Sequence, residues 1–599
     1  MSREQKLSKK IAHTLLAMSI VYSGGMNVLC NTAFADPVDG TPGTDGAAIV
    51  QNDDISSGIS TTYTADDGTP GGNASGGGRG GDGGNGGSVT VNDTVTGTIG
   101  GAIEITATGG NGGKGGRGTT SIYTPDQGPL GNTGDGGDSK VAINVRGGGI
   151  TTANNITVIA KAGSGGEGQN INNKDYDSVN GGMGGSAATI GLQSDVSNTL
   201  VTITAADVTI SAEGGKGGWG GSSYGTGSVG GMGGAAEAYG LKAATNLLDL
   251  ALNDIKVTAV GGEGGKGGRG GDSGNIGDGN AAGAGGKAVV WGIEAVNSSI
   301  SGTVNSISVS AAGGAGNVGG SGSSDGRVGI SSAGADGMAY AVSSDHGTVD
   351  LMVTAAITAA ATGGAGGGGA YGSDGVGRRG VGSDGGDGSN GGTAVAYGLH
   401  LTATDNASVT ADSLVSTAEG SAGGNGGNGG GPGSDNVGDK AGDGGNGGNG
   451  GNATAYAAYA DGSRLQLTTS SIIVTATAGS GGAAGEGATK TGSYGGSPLV
   501  NATVGVDGTA GTAGTAKAYG IYATGSTVEL KHSTPGSTVT IDATATGTDS
   551  EAYAVYAADS NIILQDKINI TSGTTFLHNS IVAFADRTAD RTLTSSGEL

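Results

Sequence analysis

The sequence predicts an all-β fold: a right-handed parallel β-helix, or solenoid, with long glycine-rich, polyglycine-II-like loop insertions at one corner. Glycine supplies 138 of 599 residues and proline only 8, and much of the rest is Thr, Ser, Val, Ile and Ala, which suit strands and turns. Short alanine-rich anchors also recur along the chain, and such self-similarity is typical of stacked repeats. The anchors are centred on Tyr239, Tyr340, Tyr397, Tyr456, Tyr519 and Tyr553, with Trp291 and Ile190 in the same position.

The last copy of the repeat indicates the length of its constant part. Gly520 and Ala554 hold equivalent anchor positions 34 residues apart, with no glycine tract between them. The other copies are longer, and their additional residues lie in glycine tracts. A constant unit with variable insertions predicts a solenoid whose loops all leave at one face or corner.

Each unit contains three short strand signals separated by Asn, Asp, Gly or Ser turns, as expected for one coil of a parallel β-helix. After Tyr239 these signals are 240–243, 247–252 and 255–260, and similar runs follow Tyr397 and Tyr519. Alternate side chains of a strand point to one face, so we expect Leu241, Leu399 and Ile521 to point inward and stack. A β-sandwich or a string of small domains is the alternative, disfavoured because Asn-Gly hairpin turns between paired runs are lacking.

The glycine tracts consist largely of GGX triplets, as in 109–118, 261–271 and 423–431. One tract leaves the third strand of a unit and a second enters the next anchor. Their period of three matches the three residues per turn of a polyproline-II helix. Glycine in two of three places would let several such helices pack through backbone hydrogen bonds. Flexible coil is the alternative, but the pairing of the tracts favours order.

The first 35 residues predict a secretory signal peptide. Basic residues precede a mostly apolar run from Ile11 to Tyr22, and Ala33-Phe34-Ala35 supplies an A-x-A cleavage pattern. An uncleaved anchor or a buried helix is the alternative, disfavoured by the short apolar run. The only cysteine, Cys30, would leave with the signal. We expect the signal peptide at 1–35, N-terminal Gly-rich repeats and the start of the β-helix at 36–185, β-helix repeats with insertions at 186–556, and the final coil and C-terminal end at 557–599.

We expect no catalytic, cofactor-binding or metal-ligating residue in this chain. The net charge of −24 disfavours nucleic acid as a partner. The histidines beyond the signal are scattered, never at zinc spacing, and are expected to be exposed. These histidines are His346, His400, His532 and His578. The basic residues within the tracts, too sparse for a nucleic-acid footprint, are Lys114, Arg117, Lys216, Lys266, Arg269, Arg378 and Arg379.

Acidic residues in the tracts are the main candidates for chemistry, because glycoside hydrolysis needs a pair of carboxyl groups at a fixed separation. Nothing in a glycine-rich loop predicts how such a pair would be held. We therefore expect these carboxylates to be solvated, with weak calcium binding as an alternative. They are Asp374, Asp384 and Asp387 in one insertion and Asp435, Asp439 and Asp443 in another.

The aromatic anchors allow two interpretations. Tyrosines at one position of each unit could form a stacked column at a corner of the rod, or a ladder on which carbohydrate stacks. The small Ala and Gly neighbours favour the column, and Trp219, inside a tract, is the better candidate for an exposed contact. An ice- or mineral-binding surface would need flat threonine ladders, such as one begun by Thr202, Thr204 and Thr209. The Thr positions do not recur regularly enough to favour that function.

These features together resemble the passenger region of bacterial autotransporter adhesins. The basic signal, the A-x-A site, the Thr/Ser/Val-rich units and the near absence of cysteine carry the resemblance, without a diagnostic motif. The GGX tracts also resemble those of glycine-rich mycobacterial surface proteins, although the Pro-Glu leader domain of that group is absent. The resemblance implies export across an outer membrane and attachment to a glycan or protein on a host or neighbouring cell.

The chain differs from this family in one respect. Autotransporters carry a C-terminal translocator barrel of strands with aromatic girdles. Phe576 and Phe584 are the only late phenylalanines before Leu599. We therefore expect an incomplete passenger, with a barrel encoded downstream, or a secreted rod. The favoured function is a non-catalytic, adhesin-like surface rod that contacts partners through its Gly-rich loops. A polysaccharide-active β-helix enzyme and an ice- or mineral-binding surface protein are the alternatives.

Overall fold

The computed structural model describes residues 39–595 with internal gaps. The predicted signal peptide therefore lies outside the described residues. Within the described residues the structure is all-β, and no helix there is long and apolar enough to cross a membrane. The gaps are 56–57, 75–78, 100, 118–130, 153, 170–177, 195–199, 224–225, 272–276, 324–325, 376–380, 433–439, 490–492, 495–496, 499–502 and 585–593.

The chain winds in successive coils, and each strand pairs in parallel with the equivalent strands of the coils before and after it. This confirms the prediction of an all-β fold built from parallel strands, and the arrangement is consistent with a β-solenoid. One short antiparallel pair, β19 with β20, stands apart from the main sheet. In chain order the strands are β1 (Ile49–Gln51), β2 (Ile59–Thr64), β3 (Val89–Thr98), β4 (Ile103–Thr108), β5 (Ser139–Thr151), β6 (Ile156–Lys161), β7 (Ala187–Ser194), β8 (Leu200–Ala205), β9 (Val208–Glu213), β10 (Ala236–Ala244), β11 (Leu247–Val260), β12 (Ala288–Ala312), β13 (Gly337–Thr362), β14 (Ala394–Thr402), β15 (Asn406–Glu419), β16 (Ala453–Asp461), β17 (Arg464–Thr468), β18 (Ser471–Thr477), β19 (Ser493–Tyr494), β20 (Ser497–Pro498), β21 (Ala516–Thr524), β22 (Thr527–Lys531), β23 (Thr538–Thr546), β24 (Glu551–Ala558), β25 (Asn561–Leu564), β26 (Lys567–Ser572), β27 (Thr574–His578), β28 (Ile581–Phe584) and β29 (Thr594–Ser595).

The strands of the main sheet stack into three faces. Face 1 carries the aromatic anchors and contains β1, β7, β10, β14, β16, β21, β24, β27 and the first parts of β3, β5, β12 and β13. Face 2 contains β8, β17, β22, β25, β28, the first parts of β11 and β15, the middle parts of β12 and β13 and the ends of β3 and β5. Face 3 contains β2, β4, β6, β9, β18, β23, β26, β29 and the last parts of β11, β12, β13 and β15.

The core is a continuous column of inward side chains from all three faces. Leu241, Leu399 and Ile521 are fully buried in it, as predicted. They belong to one register column on face 1, in which Ile293, Val342 and Ala458 fill the coils between them. Stacking of equivalent apolar residues thus extends the core by one layer per coil, as expected for a repeat protein.

The residue after each aromatic anchor also faces the core. A Cβ atom built on Gly240 would lie 2.9 Å from Cγ2 of Val257, a core residue of face 3. Gly240 and Gly292 are skipped in the strand register, so two consecutive residues, Gly240 and Leu241, point inward. This explains why only Gly or Ala occupies the position, and it leaves the aromatic ring before it on the outer surface.

The corner between faces 1 and 2 is built the same way in coil after coil. One residue adopts a positive φ, and the residue after it is a small polar one in most coils. The amide of Ser463 donates to Oγ of Ser526, and the amide of Ser526 to Oγ of Ser560, each over 3.0 Å. These hydroxyls accept backbone amides that the bend removes from the hydrogen bonding between strands. The positive-φ residues are Thr245, Asn297, His346, Ala403, Gly462, Gly525, Asp559 and Asn579.

Candidate functional site

The glycine tracts lie between a face 3 strand and the face 1 strand of the next coil. Each insertion has an outgoing arm, which leaves face 3, and a returning arm, which enters face 1; together they form the glycine flange. The outgoing arms are 65–74, 109–117, 162–169, 214–223, 261–271, 313–323, 363–375, 420–432 and 478–489. The returning arms are 39–48, 79–88, 131–138, 178–186, 226–235, 277–287, 326–336, 381–393, 440–452 and 503–515.

Backbone hydrogen bonds join the arms in two layers. Outgoing arms bond to outgoing arms, as where the amide of Gly423 donates to the carbonyl of Ser480 over 2.9 Å. Returning arms bond to returning arms, as where Gly444 donates to Val506 over 2.8 Å. A second set joins the layers, with the amide of Gly445 donating to the carbonyl of Gly427 over 2.8 Å. Both glycine amides of a triplet are therefore satisfied within the flange.

The close approach of the arms explains why two of every three residues are glycine. A Cβ built on Gly445 would lie 2.5 Å from the carbonyl carbon of Gly386, inside van der Waals contact. Where serine takes such an inner position, its hydroxyl donates to a carbonyl of a neighbouring arm. Ser332 donates to Gly283 over 2.5 Å, and Ser421 donates to Gly363.

The third residue of each triplet points outward, and its side chain often supports the neighbouring arm. The amide of Asn446 donates to Oδ1 of Asp387 over 2.7 Å, and Oδ1 of Asn446 in turn accepts the amide of Thr509 over 2.9 Å. Asn and Asp do this interchangeably because both offer a carbonyl-type oxygen at the same reach. The resulting ladder satisfies the one backbone amide per triplet that no other arm reaches.

This ladder accounts for four of the acidic candidates. Oδ1 of Asp374, Asp384, Asp387 and Asp443 accepts the amide of Gly431, Asp443, Asn446 and Val506 respectively, over 2.7–2.9 Å. The bond from Val506, followed by the ammonium of Lys440, lowers the pKa of the Asp443 carboxyl below its usual range. The two remaining candidates, Asp435 and Asp439, lie outside the described residues. Among the described residues no group of His, Cys, Asp or Glu converges as a metal ion would require.

Three of the basic candidates in the flange pair with an acid or an amide of an adjacent arm. Lys114 contacts Glu167 over 2.7 Å and Lys216 contacts Glu263 over 3.0 Å, and Nε of Arg117 donates to Gln169. The ammonium of Lys266 lies 5.2 Å from the ring centre of Trp219. These pairs are exposed and each contributes little stability. Arg378 and Arg379 lie outside the described residues.

Several large apolar side chains occupy outward positions of the flange. Trp219 is 53% exposed and Tyr371 is 70% exposed on the outgoing layer, while Ile330 is 75% exposed on the returning layer. Met183 and Met232 line a groove of about 530 Å³ on the returning layer. Single exposed apolar side chains are common on protein surfaces, so it is their shared position on the flange that makes these residues candidates for contact with a partner. The prediction of an exposed Trp219 agrees with this position.

The aromatic anchors form a column on the outer surface of face 1. Ring centres of successive members are 4.3–5.6 Å apart, with nearly parallel planes. The column lies in the middle of the strands, so its predicted place at a corner is wrong. Because each ring covers the face of the next, these faces are not open for carbohydrate stacking. The first aromatic column consists of Tyr239, Trp291, Tyr340, Tyr397, Tyr456, Tyr519 and Tyr553.

A second aromatic column runs beside the first. In β14, β16, β21 and β24 its member stands three residues after the member of the first column, and the rings of the two columns meet edge to face. Tyr456 and Tyr459, for example, have ring centres 5.4 Å apart at 85°. Sequence reasoning missed this column, although the recurring Ala-Tyr-Gly-Ile-Tyr and Ala-Tyr-Ala-Val-Tyr patterns carry its signal. The second aromatic column consists of His400, Tyr459, Tyr522, Tyr556 and Phe576.

The four histidines occupy separate positions. His346 is exposed beside Asp345, His532 accepts the amide of Thr534 over 2.8 Å, and His578 is exposed on β27. His400 differs from the expectation of exposure. It stacks on Tyr459 in the second aromatic column and meets the ring of Tyr397 edge to face, and burial lowers the pKa of its imidazole despite two nearby carboxylates.

The threonines named for a flat ladder have no threonine partners in the next coil. Thr202, Thr204 and Thr209 are outward residues of faces 2 and 3, but their partners in the next coil are Asp249, Ala251 and Lys256. An ice- or mineral-binding ladder at these positions is thus interrupted within one coil.

Comparisons with known proteins give no family for the chain. No family model matches it, and no curated protein does. Among solved structures it matches a springtail antifreeze protein from Granisotoma rainieri, described as a nine polyproline type II helical bundle. The identity is 24%, the match covers 30% of this chain and 83% of that chain, and the TM-score is 0.06. At that score the match carries no argument about fold or function.

Proposed function

We propose that the chain is an exported, non-catalytic surface rod of adhesin type that contacts its partners through the glycine flange. The rod is a right-handed parallel β-helix, and its insertions at one corner are polyglycine-II-like. The partner is a glycan or protein on a host or neighbouring cell. The observation that carries the proposal is the flange itself. In both of its layers, every third residue of an arm holds its side chain outward.

The backbone pattern supports the polyglycine-II-like geometry of the arms. Hydrogen-bond donors recur every three residues along one arm, as at Gly444, Gly447 and Gly450, which donate to Val506, Thr509 and Thr512. A helix with three residues per turn returns each equivalent residue to the same side. Arms of this geometry are ordered, not flexible linkers. They hold contact residues at fixed positions before a partner binds, which lowers the entropic cost of binding.

The chemistry of the surface supports a binding role over catalysis. The described acidic candidates accept backbone amides along the flange, so their oxygens stabilise arms. Exposed apolar residues such as Tyr371 and Ile330 stand on the same flange among polar neighbours. The polysaccharide-active alternative would need a convergent acid pair, and the ice- or mineral-binding alternative would need an unbroken threonine ladder.

The proposed localisation is supported by the sequence features that resemble autotransporter passengers. We propose export by the predicted signal peptide at 1–35 and display at the outer surface or release into the medium. Cell fractionation of the native producer, with antibodies against the rod, tests this step. Recovery of the mature chain in the cytoplasm would contradict it.

Attachment of displayed rods to target cells tests the contact surface. Trp219→Ala with Tyr371→Ala removes the exposed aromatic rings of the outgoing layer, and Ile330→Ala removes an apolar side chain of the returning layer. Met352→Ala is the matched control, because this residue is equally apolar and 47% exposed but lies on face 2. We expect at least one flange variant to reduce attachment several-fold while the control does not. Equal attachment by all variants would overturn the proposal.

A further inference from the structure

The second aromatic column brings oxidisable side chains of neighbouring coils together. Ring centres of Tyr522 and Tyr556 are 4.8 Å apart with planes inclined by 2°. Tyr459 lies on the other side of Tyr522, 5.1 Å away at 3°. Phe576 closes the column on the far side of Tyr556. Tyr522 and Tyr556 are thus the closest tyrosine pair in the second column.

Strand register holds this pair in place. Tyr522 of β21 and Tyr556 of β24 are direct partners in parallel pairing, and neighbouring strands are about 4.8 Å apart. The edges of Tyr519 and Tyr553 in the first column support the two rings from one side. Both phenols lie on the outer surface of face 1, and their side chains are partly exposed, so a dissolved oxidant can reach them.

No disulfide braces the described coils. Cys30 is the only cysteine of the chain and lies in the predicted signal, so no disulfide can join the described coils. Each coil is held by hydrogen bonds and packing to its two neighbours, and a repeat stack of this kind opens locally and from its ends. A bond between two coils would oppose that opening.

We propose that Tyr522 and Tyr556 are a modification site at which peroxide, acting through a haem peroxidase, forms an intramolecular dityrosine cross-link. Each phenol gives one electron and one proton, and one hydrogen peroxide is reduced to two waters. The two phenoxyl radicals carry spin density at the ring carbons ortho to oxygen. One such carbon from each ring forms the new C–C bond, and the hydrogen on each of these carbons moves to the phenolic oxygen through water.

The geometry favours coupling within the rod over coupling between rods. The rings are already face to face, and a tilt of both rings toward each other brings two ortho carbons into contact. Tyr371 is a matched contrast, because it is more exposed, at 70%, and has no stacked tyrosine beside it among the described residues. A process governed by exposure alone would modify Tyr371 first.

Mass spectrometry of the oxidised full-length chain tests the proposal. The protein is treated with hydrogen peroxide and a haem peroxidase, separated as a monomer, digested and searched for a peptide pair that has lost two hydrogens. We expect the pair that joins residues 522 and 556, together with dityrosine fluorescence. Absence of this pair from a monomer that carries other oxidised tyrosines would overturn the proposal.

Two variants separate geometry from general reactivity. Tyr522→Phe keeps a ring in the column and should abolish the 522–556 peptide pair, whereas Tyr371→Phe should leave its yield unchanged. Oxidation of the urea-unfolded chain should reduce the yield of this pair at least tenfold relative to other tyrosine pairs. Equal yield in the folded and unfolded chains would show that stacking does not direct the coupling, and the proposal would fail.

Discussion

Three of the four consecutive glycines at 366–369, in one outgoing arm, give a direct test of the flange. Gly367, Gly368 and Gly369 share sequence context, but only Gly368 is an outward residue. A Cβ on Gly367 would lie 2.5 Å from the carbonyl carbon of Asn317, whereas a Cβ on Gly368 meets its nearest atom, the carbonyl oxygen of Asn425, at 3.7 Å. We predict opposite effects of alanine at the two positions.

The magnitudes follow from packing and hydrogen bonding. Gly367→Ala must push its arm away by about 1 Å, and overpacking of a tight site costs about 1–3 kcal/mol. The same movement stretches the bonds from Gly367 to Ser332 and from Ser389 to Gly367, both 2.9 Å long, at about 1 kcal/mol each. Gly368→Ala adds no clash and restricts the unfolded chain, which stabilises by about 0.4–1 kcal/mol.

Hydrogen exchange of the arm 363–375 measures both effects on the local opening free energy. We expect exchange to speed up by at least tenfold in Gly367→Ala and to slow slightly in Gly368→Ala. Global circular dichroism should remain that of an all-β protein in both variants, because the change is confined to one arm. The reasoning would be refuted if the two variants destabilised the arm equally, or if Gly367→Ala were neutral.

Three further predictions concern single side chains. Asn446→Asp should leave the stability of the arm unchanged within about 0.5 kcal/mol, because the carboxylate accepts the same amide of Thr509. Asn446→Ala should cost about 1–2 kcal/mol, measured by hydrogen exchange. Equal effects of the two variants would contradict the ladder. Leu241→Ala should cost about 2–5 kcal/mol in chemical unfolding, since it empties a fully buried core position; a loss below 1 kcal/mol would contradict the packing. Burial lowers the pKa of His400, so the folded state favours the neutral imidazole. The contribution of this site to stability should therefore be full above the unfolded pKa of about 6.5 and should fall as the pH decreases from there toward the folded pKa. His400→Tyr should remove that pH dependence in urea titrations, and a wild-type rod whose stability is flat between pH 7 and 5 would speak against it.

The spacing of the strands was predictable because each coil repeats one period-2 pattern. Leu241, Leu399 and Ile521 recur at one position of that pattern, and inward stacking follows from the need to bury them. The position of the glycine tracts between the strands of one coil and the anchor of the next was predictable for a similar reason, since only these tracts vary in length between anchors. Both inferences depend on comparing one copy of the repeat with the next.

The side of the strand that carries the tyrosines was not predictable from alternation. Counting back two residues from Leu241 places Tyr239 inside the core. The irregularity at Gly240 puts two successive residues inward, so the ring emerges on the outer face. Sequence alone does not reveal such an irregularity, although a residue that is always Gly or Ala beside an aromatic ring hints at it.

The role of the acidic residues was also missed, because it depends on contacts between arms about 60 residues apart. Asp387 supports Asn446, and Asn446 supports Thr509. Within one tract each of them reads as a solvated loop residue. Aligning the tracts with one another would have shown Asp and Asn exchanging at the third position, which is the signal for a shared acceptor role.

The two-layer flange restricts changes in the length of an arm to whole triplets of residues. Equivalent glycines of adjacent arms meet only when the arms are aligned to the same phase of three residues. Removing or adding a whole triplet, such as one near the far end of the arm 440–452, shortens or lengthens an arm without disturbing that phase. Loss of one or two residues instead turns side chains into the gap between the layers. The reach of the flange from the rod can therefore evolve, or be engineered, in steps of three residues.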